Sequence, residues 1–192
     1  MMNKLSKCVV TWLIKNGTIL EEDRELYEFA AYSFFISISP VVSVMIIGGM
    51  MGKMIESILI IVPFMFLRKF SGGFHARHAW VCMIFSCVIL FICVYISTHI
   101  TYGILINIAV ICAAISLMLF SPIDSENRRL GLSEKKEFKV TTIILVIFFV
   151  IIYRLLLIVD NRIYAICIAE GIILTAGLQI PCILQKIKLT GK

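Results

Sequence analysis

The chain has 192 residues, of which 60% are hydrophobic, and its mean hydropathy is +1.01. These values lie well outside the range of soluble globular domains and indicate an integral membrane protein with the lipid bilayer as its surroundings. The formal net charge is +6, but basic and aromatic residues do not interleave as they do on nucleic-acid-binding surfaces. The composition therefore excludes a soluble enzyme and gives no indication of a nucleic-acid partner.

The first 25 residues carry lysines and acidic residues and lack the apolar centre of a cleavable signal peptide. Within them, residues 3–16 place four apolar side chains along one side of a helix, with the lysines elsewhere. These four are Leu5, Val9, Trp12 and Leu13. The segment is too short to cross a bilayer, so it predicts an amphipathic helix lying in the headgroup region.

The rest of the chain is a series of apolar runs without the alternation of a membrane β-barrel, which predicts an all-α polytopic protein with about six transmembrane helices. The predicted spans are residues 26–51, 54–67, 79–98, 102–120, 140–159 and 163–182. In the first span Pro40 predicts a kink, and Gly48-Gly49 predict a flexible exit. The whole chain, residues 1–192, is predicted to be a single membrane domain.

Lysine and arginine are concentrated in alternate polar segments. Fifteen of the 18 basic residues lie in residues 1–25, 68–78, 121–139 and 183–192. Because cytoplasmic loops retain positive charge, both termini and both loops are expected on the cytoplasmic side. Residues 121–139 are interpreted as a basic connecting loop with a turn at Ser121-Pro122. The seven cysteines form no CxxC pair, so no disulfide framework is expected.

Residues 68–82, "RKFSGGFHARHAWVC", place basic residues, two glycines, two histidines and a cysteine at a membrane boundary. A zinc site could use His75, His78 and Cys82, but a fourth ligand is missing nearby, so no metal or other cofactor is expected. A plain interfacial anchor would explain each residue taken singly. Gly72-Gly73 argue against a plain anchor, because two glycines break the helix where an anchor would continue it.

The third interpretation is a catalytic pair in which a histidine deprotonates Cys82 for attack on a carbonyl carbon. If residues 75–82 formed one helix, His75 and Cys82 would differ by about 10 Å in height, too far for proton transfer. His75 can therefore serve only if the chain folds back, which the two glycines permit. From spacing alone His78 is the more economical base, and the choice between the histidines stays open.

The combination of Arg68-Lys69, Gly72-Gly73-Phe74-His75 and Cys82 seven residues after His75 resembles the accessory gene regulator B family, AgrB, membrane cysteine endopeptidases of quorum sensing in Gram-positive bacteria. The chain length, the polar amino-terminal segment and the "SPIDSENRRL" loop are also similar to that family. The resemblance covers nearly the whole chain and implies a location in the cell membrane, with the active site at the cytoplasmic face.

The resemblance implies that His75 is the general base and Cys82 the nucleophile. The implied substrate is an AgrD-like propeptide, cut on its carboxyl side through a thioester and then closed into a thiolactone or lactone ring. Five residues are expected to bind the acidic end of the substrate or to shape the site, namely Arg68, Lys69, Gly72, Gly73 and Arg77. No acid can be assigned to orient His75. A homodimer is also implied.

Two further functions compete with the peptidase. A small peptide exporter would move peptide across the membrane without cleaving a bond, but only Glu56, Arg154 and Glu170 place charge within spans, and they are scattered. A metal-dependent membrane protein would retain stoichiometric zinc after dialysis. Loss of precursor cleavage in Cys82→Ala and His75→Ala would favour the peptidase over the exporter.

Overall fold

The structure, a computed structural model, describes residues 2–72, 79–100, 102–123 and 131–182. Over these ranges the chain is all-helical, as predicted. Their seven α-helices are α1 Met2–Lys15, α2 Arg24–Met50, α3 Met54–Ser71, α4 Ala79–His99, α5 Ile104–Phe120, α6 Leu132–Ile158 and α7 Arg162–Gly177, and a 3-10 turn, Glu21–Asp23, precedes α2. Helices α2 to α7 occupy the positions of the six predicted spans.

Within the described ranges, three helical segments are long and apolar enough to cross a bilayer, namely Glu21–Met50, Ser133–Ile158 and Arg162–Cys182. Shorter apolar helical stretches are Ile104–Phe120, which is α5, and Val88–Ser97, which lies within α4. Large apolar side chains remain exposed along these helices, for example Phe34, Leu105 and Ile144. Water would disfavour so much exposed apolar surface, whereas hydrocarbon accommodates it. The chain is therefore a multi-pass membrane protein.

Helix α7 lies at the centre of the bundle, where it packs against α3, α4, α5 and α6. Its buried side includes Cys167, Ile168 and Ile172. The tightest approach is at Gly171, where an added Cβ would lie 2.5 Å from Pro63 Cγ and 2.6 Å from the Ile60 carbonyl oxygen of α3. A glycine is thus needed for α3 and α7 to come this close, as is common between membrane helices.

Helices α2 and α3 form a hairpin whose turn contains Gly52 at φ +64°. The predicted flexible exit at Gly48-Gly49 is wrong, because both residues lie inside α2. A Cβ on Gly48 would lie 2.6 Å from Ser57 Oγ of α3, so this glycine permits close packing of the two helices. Helix α2 also continues through Pro40.

The amino-terminal helix α1 packs against α2 and buries Ser6 and Val10. Leu5, Val9 and Trp12, which belong to the predicted apolar side, stay exposed. One side of α1 therefore contacts the protein through Ser6 and Val10, while Leu5, Val9 and Trp12 face outward and Leu13 is half-buried. This arrangement leaves the apolar side available to the bilayer, in agreement with an amphipathic surface helix.

Helix α6 begins earlier than predicted. The charge of residues 132–139 predicts part of a basic loop, but these residues form the first two turns of α6. The Gly131 backbone N–H donates to Glu134 Oε2 at 2.9 Å, which satisfies one of the free amides at the helix start. Hydropathy identifies the apolar part of a helix that lies in the bilayer, so it does not identify the polar turns that precede this part.

Candidate active site

The basic pair Arg68-Lys69 lies in the last turn of α3, which continues to Ser71, rather than in a loop that begins at residue 68. Basic side chains there complement the partial negative charge at the carboxyl end of a helix. Arg68 is half-buried, with its guanidinium carbon 6.0 Å from the centre of the Phe64 ring. Lys69 is exposed, and its Nζ lies 5.5 Å from the Phe70 ring.

Gly72 ends α3 in a conformation that requires glycine, with φ +72° and ψ −165°. This region of backbone space is essentially restricted to glycine. Gly72 also pairs with Ile123 in an isolated parallel β-bridge. An added Cβ would lie 2.4 Å from the Ile123 carbonyl oxygen. Both the torsion and the close approach therefore require glycine at position 72, whereas its role in shaping the site stays a prediction.

Three distant segments meet beside Gly72 in a buried polar junction formed by Ser71, Ser121, Ile123 and Gln179. The Ser71 carbonyl oxygen accepts from the Ile123 backbone N–H at 3.0 Å and from Gln179 Nε2 at 3.2 Å. Gln179 Nε2 also donates to Ser121 Oγ at 2.9 Å. The junction joins the end of α3 to the residues after α5 and α7, so it fixes the chain where the motif begins.

The same end of the bundle carries the first turns of α6. Phe70 and Phe138 meet edge to face, with their ring centres 5.6 Å apart, and this contact places the start of α6 beside the end of α3. Helix α6 brings Lys135, Lys136 and Lys139 to this end. Positive charge from two helices is therefore gathered near the polar junction.

Residues 73–78 of the motif lie outside the part of the chain that the structure describes, and they include Gly73, His75, Arg77 and His78. Cys82 is the fourth residue of α4 by its backbone, and its side chain also lies outside the description. The His75–Cys82 pairing and the choice between the two histidines therefore stay predictions. So does the expectation that no metal is bound, because the histidines proposed as ligands belong to this segment.

The described cysteines are free thiols, namely Cys8, Cys93, Cys112, Cys167 and Cys182. Of the charged residues in apolar helices, Glu56 lies 3.4 Å from Lys53 Nζ. Glu170 buries both carboxylate oxygens, and no described residue hydrogen-bonds to them. Arg154 is exposed on α6 beside Tyr153. These three charged residues remain scattered over different helices.

The family model for accessory gene regulator B, AgrB, matches residues 6–183. The chain belongs to the AgrB family. The match contains the whole of residues 68–82, the basic segment at 128–139 and all seven cysteines. Membership of AgrB, inferred above from the motif, is confirmed.

Relatives with AgrB-like names occur in Clostridium perfringens. An AgrB-like protein of strain SM101 is 23% identical over 146 residues, which cover 71% of this chain and 68% of that protein. AgrB-like protein 2 of strain 13 is 22% identical over the same shares of both chains. AgrB-like protein 1 of strain 13 is 30% identical over 91 residues, or 46% of this chain and 47% of that protein. No solved structure matches the chain.

The sequence of this AgrB chain predicted a helix break at Gly72, but it did not predict the contacts of Gln179. Gln179 is a fully buried amide at the end of an apolar run, and that isolated polar residue was the available signal. Its partners are Ser71 and Ser121, which stand 108 and 58 residues away in the sequence. A local pattern contains no information about contacts over such separations.

Proposed function

We propose that this AgrB-family protein is a membrane cysteine endopeptidase that cleaves an AgrD-like propeptide on its carboxyl side and closes the remaining peptide into a thiolactone or lactone. The family match over residues 6–183 carries this proposal, because it includes His75 and Cys82 at the spacing of the motif. In the proposal, Cys82 is the nucleophile and His75 the general base.

The backbone position of Cys82 supports its role as nucleophile. As the fourth residue of α4, it lies in the first helical turn. The amino-terminal end of a helix carries partial positive charge, which favours a thiolate over a thiol. A thiolate is the nucleophilic form of cysteine, so this position suits acyl capture.

The proposed reaction has two acyl transfers. The Cys82 thiolate adds to the scissile carbonyl carbon, the C–N bond breaks, and the imidazolium of His75 gives its proton to the departing amine. A thiol or hydroxyl of the bound peptide then adds to the thioester, its proton passes to His75, and the Cys82 thiolate leaves. For a thiol the second step exchanges one thioester for another, so it needs close positioning and exclusion of water rather than further activation.

Charge at the end of α3 supports recognition of an acidic peptide end. Arg68 and Lys69 lie there, and the first turns of α6 bring further lysines to the same end. Arg77 and Gly73 complete the proposed substrate-binding and site-shaping set. Removal of these charges is expected to raise KM more than it lowers kcat, because they contact the peptide away from the reacting bond.

The proposal places this end of the bundle at the cytoplasmic face of the cell membrane of a Gram-positive bacterium, with six spans and both termini inside. The support is the concentration of 15 of the 18 basic residues in alternate polar segments. A homodimer is expected from the family alone.

The test is cleavage of an AgrD-like propeptide, taken from a neighbouring short reading frame, by protein in lipid nanodiscs. Cys82→Ala and His75→Ala should abolish cleavage while leaving membrane insertion intact. Cys87→Ala is the matched control, since it removes another cysteine from α4. His78→Ala separates the two candidate bases and should retain activity if His75 is the base.

Each outcome decides between functions. Cleavage by Cys82→Ala would exclude the thioester mechanism. Export of intact peptide by the Cys82→Ala variant at the rate of the parent would favour the exporter instead. Loss of cleavage in His78→Ala with normal cleavage in His75→Ala would move the role of base to His78.

A further inference from the structure

Gln179 is a fully buried polar side chain just beyond the end of α7, and the proposed reaction does not use it. Its Nε2 donates to the Ser71 carbonyl oxygen and to Ser121 Oγ. The Ser71 carbonyl oxygen also accepts from the Ile123 backbone N–H. One amide group therefore holds together three segments that come from the ends of α3, α5 and α7.

The hydrogen bonds that described residues make with this amide do not satisfy all of its polar atoms. Gln179 Oε1 is buried, and no donor among the described residues reaches it. An unpaired buried carbonyl oxygen carries a desolvation cost that offsets much of what two neutral hydrogen bonds contribute. An apolar side chain of similar size could fill the same volume without that cost. The amide is then better explained by the position that it imposes on Ser71.

Ser71 is four residues before His75 in the sequence. Four residues span at most about 14 Å, so the placement of Ser71 restricts where the histidine can lie. Displacing a catalytic group by about 1 Å can lower the rate on the order of a hundredfold. A residue that fixes Ser71 therefore limits the positions open to the start of the motif.

We propose that Gln179 is a positioning residue for the His75–Cys82 pair, acting through its hydrogen bonds to Ser71 and Ser121. This role rests on the proposed peptidase function. Gln179 touches neither the substrate nor the reacting atoms in this proposal. It sets the position of the last residue of α3 and thereby the start of the segment that carries the base.

The experiment compares Gln179→Leu with Thr175→Val in nanodiscs, using a synthetic AgrD-like propeptide. Thr175 is the matched control because it is also fully buried on α7, and among the described residues its hydroxyl donates to the Gly171 carbonyl oxygen of the same helix at 2.8 Å. In Gln179→Leu we expect kcat to fall at least tenfold with KM within about twofold, because positioning affects the chemical step. Thr175→Val should retain kcat, and both variants should melt within a few degrees of each other.

A second variant removes the acceptor of the hydrogen bond between Gln179 Nε2 and Ser121 Oγ. Ser121→Ala removes one acceptor of Gln179 Nε2 and should lower kcat by a smaller factor. Added to Gln179→Leu, it should have almost no further effect, because the shared hydrogen bond is already gone. Multiplicative losses in the double variant would overturn the proposal. If Gln179→Leu does not fold, the single variant Ser121→Ala decides the case, and a kcat equal to that of Thr175→Val would overturn the proposal.

Cys82→Ala separates the two proposals. If Cys82→Ala is inactive and Gln179→Leu keeps the kcat of Thr175→Val, the positioning role is wrong and the peptidase stands. If Cys82→Ala cleaves the propeptide, the peptidase mechanism is wrong. If the melting midpoint of Gln179→Leu falls well below that of Thr175→Val together with its kcat, Gln179 has a merely structural role.

Discussion

Gly72→Ala should disrupt both the fold and the activity of the protein. The backbone at this position has φ +72° and ψ −165°, and a side chain there costs about 1–3 kcal/mol in strain. The new Cβ would also lie 2.4 Å from the Ile123 carbonyl oxygen, so that the backbone must yield by about 0.6 Å to reach the 3.0 Å limit for such contacts. Overpacking of this kind adds about 1–3 kcal/mol. The sum is about 2–6 kcal/mol.

Gly52→Ala is the matched control for this prediction. Gly52 also has positive φ, +64°, but an added Cβ there meets no atom within 4 Å. It therefore carries the torsional cost without the collision. Melting of the purified proteins in detergent, followed by aggregation, should rank parent above Gly52→Ala and Gly52→Ala clearly above Gly72→Ala. Equal midpoints for the two variants, with full propeptide cleavage by Gly72→Ala, would refute the reasoning from the Ile123 contact.

Two more predictions concern packing and orientation. Gly171→Ala should lower the melting midpoint, because overpacking against Pro63 and the Ile60 carbonyl costs about 1–3 kcal/mol. Gly177→Ala is the control on the same helix, since its added Cβ meets no atom within 4 Å, and it should leave the midpoint unchanged. An equal fall in the midpoints of both variants would contradict the close approach of α3 and α7. A membrane-impermeant maleimide should label the exposed thiol of Cys8 only after the cells are permeabilised, with Cys8→Ser as the blank, and labelling in intact cells would place the amino terminus outside.

The sequence was sufficient to predict helices at the six apolar runs and at the amino terminus, because each signal is local. It was less informative about helix ends. Arg68 and Lys69 resembled loop residues since positive charge marks the cytoplasmic side, but the same charge also suits the carboxyl end of a helix. Residues 132–139 were misjudged for a related reason, because polar turns can extend a helix beyond the hydrocarbon.

In the candidate site, too, local features could be predicted from the sequence and contacts between distant residues could not. Gly72 could be predicted, because a glycine pair at a helix end indicates an unusual backbone conformation, and the structure supplies the reason in the contact with Ile123. Gln179 could not be linked to Ser71, because that contact depends on how α3 and α7 pack. The close packing of α3 and α7 at Gly171 brings the two residues together, and hydropathy does not reveal which helices are neighbours.

The two ends of the segment that carries the proposed base, His75, are held by contacts with the rest of the bundle. Ser71 is fixed by hydrogen bonds from Ile123 and Gln179, and α4, which begins at Ala79, packs against α2, α3 and α7. Six residues lie between Gly72 and Ala79, and they can extend over roughly 20 Å at most. Two fixed ends therefore restrict the intervening segment without a separate catalytic domain. The restriction is strongest near the ends, so changes at Gly72 should affect activity more than equal changes in the middle of α3.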